Sequence, residues 1–243
     1  TCALPILRHR KAGSEALKDK VSTAVIQRLP RYYRYLSDLL EENVERISSS
    51  DLAARMHVTA SQIRQDLNTF GGFGQQGYGY HVPHLHAEIG KLLGIDQQKY
   101  LIIIGAGNLG QALANYQNFT KRGFQVKALF DIDPEVIGRT IQGAQVFPLE
   151  YLEAYLEKNA IDIATLTLPR DRAIEVAKRL CRCGIKAIWN FAHTDLQVDE
   201  DVLVENVHLS ESLMQLSYRM IAARRKQKKT EETGDTGIGE RSD

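Results

Sequence analysis

The sequence has little cysteine and no long apolar run. Its 243 residues include three cysteines, Cys2, Cys181 and Cys183, and the only close pair has the spacing C-x-C rather than the C-x-x-C of zinc ribbons and thioredoxin-like sites. No run reaches the 18 apolar residues of a membrane helix, and the first 20 residues lack the apolar core of a signal peptide. We therefore expect a cytoplasmic protein with no disulfide framework, no membrane partner and no metal.

Excess charge is lacking as well. Lys and Arg total 31 against 30 Asp and Glu, a net charge of +1 that excludes a uniformly basic nucleic-acid binder. The charge is nevertheless uneven: residues 1–34 hold eight basic and two acidic residues, a net +6, and the last 14 residues hold five acids and one arginine. This distribution predicts a basic N-terminal arm over residues 1–21 and a disordered tail over residues 230–243.

Residues 22–85 have the pattern of a winged helix-turn-helix DNA-binding domain. Apolar residues recur at three- and four-residue spacing from Ser22 to Asn43, as in an amphipathic helix. Ser50 is a candidate cap for a second, short helix, and Thr59 with Gln62 has the form of a capping box for a third. The segment GGFGQQGYGYHV that follows contains five glycines and fits either the hairpin of a wing or a flexible linker. Its interleaved aromatic residues favour the wing.

From Lys99 onward, short apolar runs alternate with amphipathic helices. The apolar runs are YLIII, VKALFDI, IDIATLTL and IKAIWNFA. Such alternation predicts an α/β fold in which helices cover both faces of a parallel sheet, as in a Rossmann-like, doubly wound domain. We assign this domain to residues 86–207.

A dinucleotide fingerprint lies between the first of these runs and its helix. It consists of Gly105, Ala106, Gly107, Asn108, Leu109 and Gly110. In such a loop one glycine makes the turn, the next lets the backbone approach a pyrophosphate, and the last packs helix on strand. Asp131 follows Gly110 by 21 residues and is placed to bind an adenosine ribose, which favours NAD(H) over NADP(H). The other strand ends predicted to line the site are Thr167, Leu168, Pro169, Asn190 and Phe191.

The sequence offers little for a dehydrogenase reaction. A dehydrogenase needs a proton-transfer group or a zinc site beside the nicotinamide, and only His193 and His208 are candidates. A substrate domain is absent too, since only about 35 residues follow Val204. A small NAD-dependent oxidoreductase remains an alternative, and so does a domain that holds coenzyme A, because the glycine loop suits both ligands.

A final helix is predicted over residues 208–229. Leu209, Leu213, Leu216 and Met220 form one apolar stripe on it, ahead of a basic run at Arg224, Arg225, Lys226, Lys228 and Lys229. Such a stripe packs either on its own domain or on a second subunit. The sequence leaves both arrangements open.

Taken in order, these segments resemble a bacterial family, the redox-sensing transcriptional repressor Rex. The resemblance covers roughly residues 22–221. It is carried by RLPRYYRYL, ISSSDLAARMHVTASQIRQDLNTFG, GQQGYGYHV, GAGNLGQAL, FDIDPEVIG and WNFA. It implies a homodimer with exchanged C-terminal helices that binds an inverted-repeat operator and is released by NADH.

The resemblance also implies which residues contact DNA. Residues 59–70 would form the recognition helix, with Arg64 reaching base edges, and the first helix would contribute backbone contacts. The implied DNA-binding residues are Arg28, Arg31, Arg34, Ser61, Gln62, Arg64, Gln65, Gln76, Gly77, Tyr78, Gly79 and Tyr80.

The chain departs from the family pattern in two places. Gln65 and Gln76 stand where the family commonly has basic residues, which predicts weaker phosphate contacts and a flatter salt dependence. His208 and Leu209 stand where the family often has Asp and an aromatic residue, and His193 stands in place of Pro. An alternative is therefore a diverged Rex-like protein that binds NAD(H) with a weak NADH response.

Overall fold

The computed structural model describes residues 22–71, 73–75 and 78–234. The predicted N-terminal arm, Gln76, Gly77 and the end of the predicted tail lie outside these residues. The described chain forms two compact units that divide between Gln97 and Gln98.

The first unit is a winged helix-turn-helix, as predicted. Its helices are α1 (Thr23–Glu41), α2 (Ser49–Met56), α3 (Ala60–Asn68) and α4 (Val82–Leu92). Its strands are β1 (Arg46–Ile47), β2 (Gly74–Gln75) and β3 (Gly79–His81), which form an antiparallel sheet in the order β1-β3-β2. The glycine-rich segment therefore contains a hairpin rather than a linker.

The helix ends follow local side-chain chemistry. The Thr59 hydroxyl accepts a hydrogen bond from the Gln62 backbone N–H at 3.1 Å and caps α3, as predicted. The cap of α2 is Ser48, which accepts from the Asp51 backbone N–H at 3.0 Å; the predicted cap, Ser50, lies inside the first turn. His57 ends α2 in the left-handed conformation with φ 54°. The turn between α2 and α3 is thus fixed at both ends.

The core of the first unit includes α4. Leu85 and Ile89 of α4 are buried in one cluster with Leu36, Met56 and Ile63. Because α4 needs this contact to bury its apolar face, residues 86–97 belong to the first unit, whereas we assigned them to the nucleotide domain.

The second unit is built on a seven-stranded sheet in the order β10-β9-β8-β4-β5-β7-β6. All neighbours pair in parallel except β6 and β7. The strands are β4 (Lys99–Ile104), β5 (Phe124–Asp131), β6 (Thr140–Ile141), β7 (Ala144–Pro148), β8 (Ile163–Leu166), β9 (Ala187–Asn190) and β10 (Leu203–Asn206). This order is that of a Rossmann-like sheet, in agreement with the predicted fold class. Strands β6, β7 and β10 were not predicted, because they are short and lack long apolar runs.

The helices of this unit follow the strands in alternation. They are α5 (Asn108–Ala114), α6 (Asn118–Lys121), α7 (Leu152–Lys158), α8 (Arg170–Arg182) and α9 (Leu209–Gly234), with a 3₁₀ turn at Leu149–Tyr151. None of the helices in the described ranges is long and apolar enough to cross a membrane. Helix α9 runs to Gly234, beyond the end we predicted at residue 229, because its Lys, Gln and Glu residues favour a helix.

Candidate nucleotide site and DNA-reading helix

The glycine loop between β4 and α5 has little space on one side and is open on the other. A Cβ atom on Gly110 would lie 1.9 Å from the Gly105 carbonyl oxygen, and one on Gly105, whose φ is +103°, would lie 2.7 Å from the Thr167 carbonyl oxygen. A Cβ atom on Gly107 would meet nothing within 4 Å. Gly105 and Gly110 are therefore required by packing, and Gly107 leaves the N-terminus of α5 open to a ligand.

Asp131 is tied to this loop. Its Oδ2 accepts a hydrogen bond from the Ala106 backbone N–H at 2.5 Å, and its Oδ1 accepts from the backbone N–H groups of Ile132 and Asp133 at 2.7 and 3.0 Å. The Thr167 hydroxyl lies 2.8 Å from the Gly105 carbonyl oxygen on the other side of the loop. The ends of β4, β5 and β8 are thus joined where a dinucleotide would cross the sheet.

A pocket of about 540 Å³ opens at this point. It brings together the predicted residues Gly105, Gly107, Asp131, Thr167, Leu168 and Pro169. It also has a side that the sequence did not predict, with Ile132, Leu149, Glu150, Arg172, Glu175, Val176 and Arg179. Ile132 is 62% exposed although it directly follows a buried strand, and this misplaced apolar residue was the available clue.

Asn190 and Phe191 do not line this pocket. Asn190 is buried, and its amide nitrogen donates to the Thr194 carbonyl and the Asn206 side chain, both at 2.8 Å. The Phe191 ring packs on Trp189 at a centroid distance of 4.6 Å. Asn190 therefore holds the loop after β9.

His193 and His208 lie outside the lining of the pocket and contact each other. Their rings are stacked with centroids 5.9 Å apart and planes 16° apart. The loop after β9 and the segment before α9 are therefore adjacent in one chain. No group of three or more histidine, cysteine or carboxylate side chains in the described ranges could hold a metal.

The recognition helix α3 is anchored through Asp66, which is completely buried. Its carboxylate accepts two hydrogen bonds from the Arg28 guanidinium, at 2.6 and 2.8 Å. It also accepts one from the Tyr32 hydroxyl and one from the Gln62 amide, each at 2.7 Å. Burial raises the pKa of Asp66, but these donors outweigh burial and hold the pKa below its ordinary value. The ionised carboxylate thus joins α1 to α3.

Three of the predicted DNA contacts on these helices have internal roles. Arg28 and Gln62 both bind Asp66. The Arg31 guanidinium donates to the Met56 carbonyl oxygen at 3.0 Å, at the end of α2. Arg34 is exposed, with its guanidinium 5.1 Å from the centre of the Tyr35 ring. Among the predicted cations of α1, Arg34 is therefore the one left to meet a phosphate.

The remaining predicted contacts of α3 point to solvent. Ser61, Arg64 and Gln65 are exposed. The Arg64 guanidinium donates to the Ser49 hydroxyl at 2.9 Å, a surface contact that a base edge can replace.

In the wing, two tyrosines predicted as DNA contacts differ in position. Tyr78 is 72% exposed, whereas Tyr80 is 5% exposed and belongs to the core of the unit. Gly79 has φ +69°, and a Cβ atom there would lie 2.4 Å from the Ile47 carbonyl oxygen, so it has a packing role. Sequence reasoning missed Arg46, whose guanidinium lies 6.0 Å from the Tyr78 ring centre and brings a cation to the wing.

Replacing Asp66 with Asn tests the anchor. We expect D66N to lower the free energy of unfolding by about 3 kcal/mol, because Arg28 loses its buried partner. The wild-type contribution is complete above the unfolded pKa, near 3.9, and is lost as the pH falls through the lowered folded value, so the variant should lack this acid-dependent loss. Urea unfolding between pH 2.5 and 7, followed by circular dichroism, measures both. Identical pH profiles for the two proteins would contradict the assignment.

The two sides of the glycine loop are separated by alanine substitution. G107A should leave the melting temperature unchanged, since its φ of –72° suits alanine, yet weaken NAD(H) binding at least about tenfold by blocking the approach to the pyrophosphate. G110A is the contrasting variant and should lower the free energy of unfolding by about 1–3 kcal/mol. Isothermal titration and thermal melts provide both readings. Full NADH affinity in G107A would exclude this loop as the binding site.

Comparison with family models places known families on both units. The model described as "Putative DNA-binding protein N-terminus" matches residues 20–68. The model described as "CoA binding domain" matches residues 96–194. These matches cover the winged helix and the nucleotide unit.

Whole-chain relatives span both units. The chain is 57% identical over 203 residues to the redox-sensing transcriptional repressor Rex of Thermoanaerobacter pseudethanolicus, covering 84% of this chain and 91% of the relative. It is 56% identical over 200 residues to Rex of Clostridioides difficile, covering 82% and 95%. Both relatives are named as repressors and not as enzymes.

Solved structures give the same result. RSP in complex with β-NAD⁺ and operator DNA has a TM-score of 0.80 and 55% identity, covering 88% of this chain and 98% of that one. RSP in complex with β-NADH has a TM-score of 0.79 and 52% identity, covering 86% and 98%. The resemblance inferred from the motifs is confirmed.

Proposed function

The chain belongs to the Rex family of redox-sensing transcriptional repressors, and from this premise we propose how its parts act. It is a cytoplasmic homodimer that represses transcription by binding an inverted-repeat operator. NADH binds the pocket at Gly105, Gly107 and Asp131 and weakens operator binding. The observation that carries the proposal is the presence, in one chain, of an exposed recognition helix and an open dinucleotide pocket.

Asp131 supports NAD(H) as the ligand. A carboxylate at the end of β5 accepts hydrogen bonds from ribose hydroxyls and repels a 2′-phosphate. The apolar side of the pocket, with Ile132, Leu149 and Val176, suits the face of an adenine ring. Coenzyme A also carries an adenosine and a pyrophosphate, and the match to a CoA-binding model makes it the ligand to compare.

Repression controlled by NADH requires two conformations that NADH distinguishes. A ligand changes DNA affinity only by its differential affinity for the two states, and DNA then changes NADH affinity by the same factor. The stacked pair His193 and His208 links the loop after β9 to the start of α9. These two residues replace family residues, so the size of the NADH effect depends on them.

Dimerisation is supported by two apolar surfaces of the second unit. One face of the sheet has a groove of about 560 Å³, lined by Leu101, Ile163, Trp189 and Leu203 among others. In the single chain Leu203 is 70% exposed, and Leu213 on α9 is 67% exposed. Apolar surfaces of this kind are typical of subunit interfaces. We assign the stripe of α9 to a second subunit, with exchanged helices, rather than to its own domain.

The repressor function is tested by operator binding at controlled NADH to NAD⁺ ratios. We expect a duplex with an inverted repeat to bind more tightly than a scrambled duplex, and its affinity to fall as NADH replaces NAD⁺. Fluorescence anisotropy measures both, with coenzyme A as a control ligand that should have no effect. No preference for the repeat at low salt would refute DNA recognition. A constant affinity at all ratios would instead favour the diverged Rex-like protein with a weak NADH response.

The dimer is tested at the apolar stripe. L213E places a charge on the exposed stripe of α9 and should give a particle of 27.4 kDa instead of twice that mass. It should also abolish binding to the inverted repeat, because both half-sites must be occupied. Q215E is the matched control, since Gln215 lies off the stripe. Light scattering after size exclusion gives the mass, and a dimeric L213E would contradict the interface.

A further inference from the structure

Helix α9 consists of two chemically different segments. From Leu209 to Ile221 it carries the exposed apolar residues assigned above to the subunit interface. From Ala222 to Gly234 it contains no apolar residue larger than alanine. The second segment therefore has no face that could pack into a protein core or an apolar interface.

This second segment is strongly basic. Between Glu211 and Glu231 there is no acidic residue, and Arg219 is followed by five cations within six positions. These five are Arg224, Arg225, Lys226, Lys228 and Lys229. Arg224 and Arg225 are exposed, and neither has a hydrogen-bond or ion-pair partner among the described residues.

The segment is helical despite its own repulsion. Arg224 and Lys228 are four residues apart, as are Arg225 and Lys229, and like charges at this spacing destabilise a helix. At 1.5 Å per residue the five cations lie within about 8 Å of helix axis. Duplex DNA presents one phosphate per about 1.7 Å of its own axis. A polyanion of this density removes the repulsion that the segment otherwise carries.

We infer that residues 224–229 form a second DNA-binding surface, which contacts the phosphate backbone of the duplex without reading its bases. The inference rests on the proposed repressor function, because operator binding by the winged helix brings this duplex to the same molecule. A membrane surface is disfavoured, since interfacial helices interleave Trp, Phe or Leu with their cations and this segment has none of them.

The surface would be a property of this chain and not of the family pattern. The motifs that resemble the family end near residue 221, before the first of the five cations. Gln65 and Gln76 remove positive charge from the recognition helix and the wing. The basic end of α9 supplies sequence-independent affinity that offsets this loss.

The experiment compares two fivefold variants of the full chain. The first changes Arg224, Arg225, Lys226, Lys228 and Lys229 to Gln. The second, the matched control, changes five scattered exposed cations of the same unit to Gln, at Lys121, Arg122, Arg139, Lys158 and Lys178. Both variants have the same net charge. Anisotropy with operator and scrambled duplexes is recorded from 50 to 200 mM salt, and light scattering confirms the dimer.

The first variant should bind both duplexes at least about tenfold more weakly at low salt, with an unchanged ratio between them. Its slope of log affinity against log salt should be flatter by up to about four per chain. The control should keep the wild-type slope. The inference is overturned if both variants behave alike, or if the first variant loses affinity for single-stranded RNA or anionic vesicles but not for duplex DNA. A wild type without operator preference refutes the proposed function separately.

Discussion

The buried carboxylate of Asp66 is the interaction on which the DNA-binding unit depends. A charge removed from water must keep its donors, and here the donors come from α1 and from α3 itself. This requirement fixes the recognition helix on the first helix. It also decides which polar groups remain for DNA, because Arg28 and Gln62 are used in the interior. The surface left to a nucleic acid is therefore smaller and less basic than the sequence suggests, with Arg34, Arg46 and Arg64 as its exposed cations.

The nucleotide unit follows a similar rule with backbone groups in place of charges. Gly105 and Gly110 let the loop, the helix and the end of β8 approach closely, and Asp131 binds the loop through the Ala106 N–H. The packing glycines and the open glycine at position 107 have different roles within one motif. Stability and ligand binding can thus be changed separately, which is useful in a sensor whose ligand must bind without unfolding the protein.

The apolar surface of α9 and of the sheet connects the two functions. A chain that leaves this much apolar area in water is incomplete, and a second copy is the partner consistent with an inverted-repeat operator. The same helix then continues into a segment with only cations. Apolar burial and phosphate contact would follow one another along a single helix, so a change in the packing of α9 would be felt at the DNA.

The sequence alone determined the features that depend on near neighbours. The glycine spacing with Asp131, the Thr59 cap and the helix-strand alternation all act over a few residues or one supersecondary unit, so they were predictable. Only the tertiary structure decided features that depend on distant packing. Arg28 meets Asp66 across 38 positions, α4 joins the first unit, and Tyr80 turns inward although it lies two residues after the exposed Tyr78. No local pattern encodes these pairings, because each depends on which surfaces the folded elements bring together.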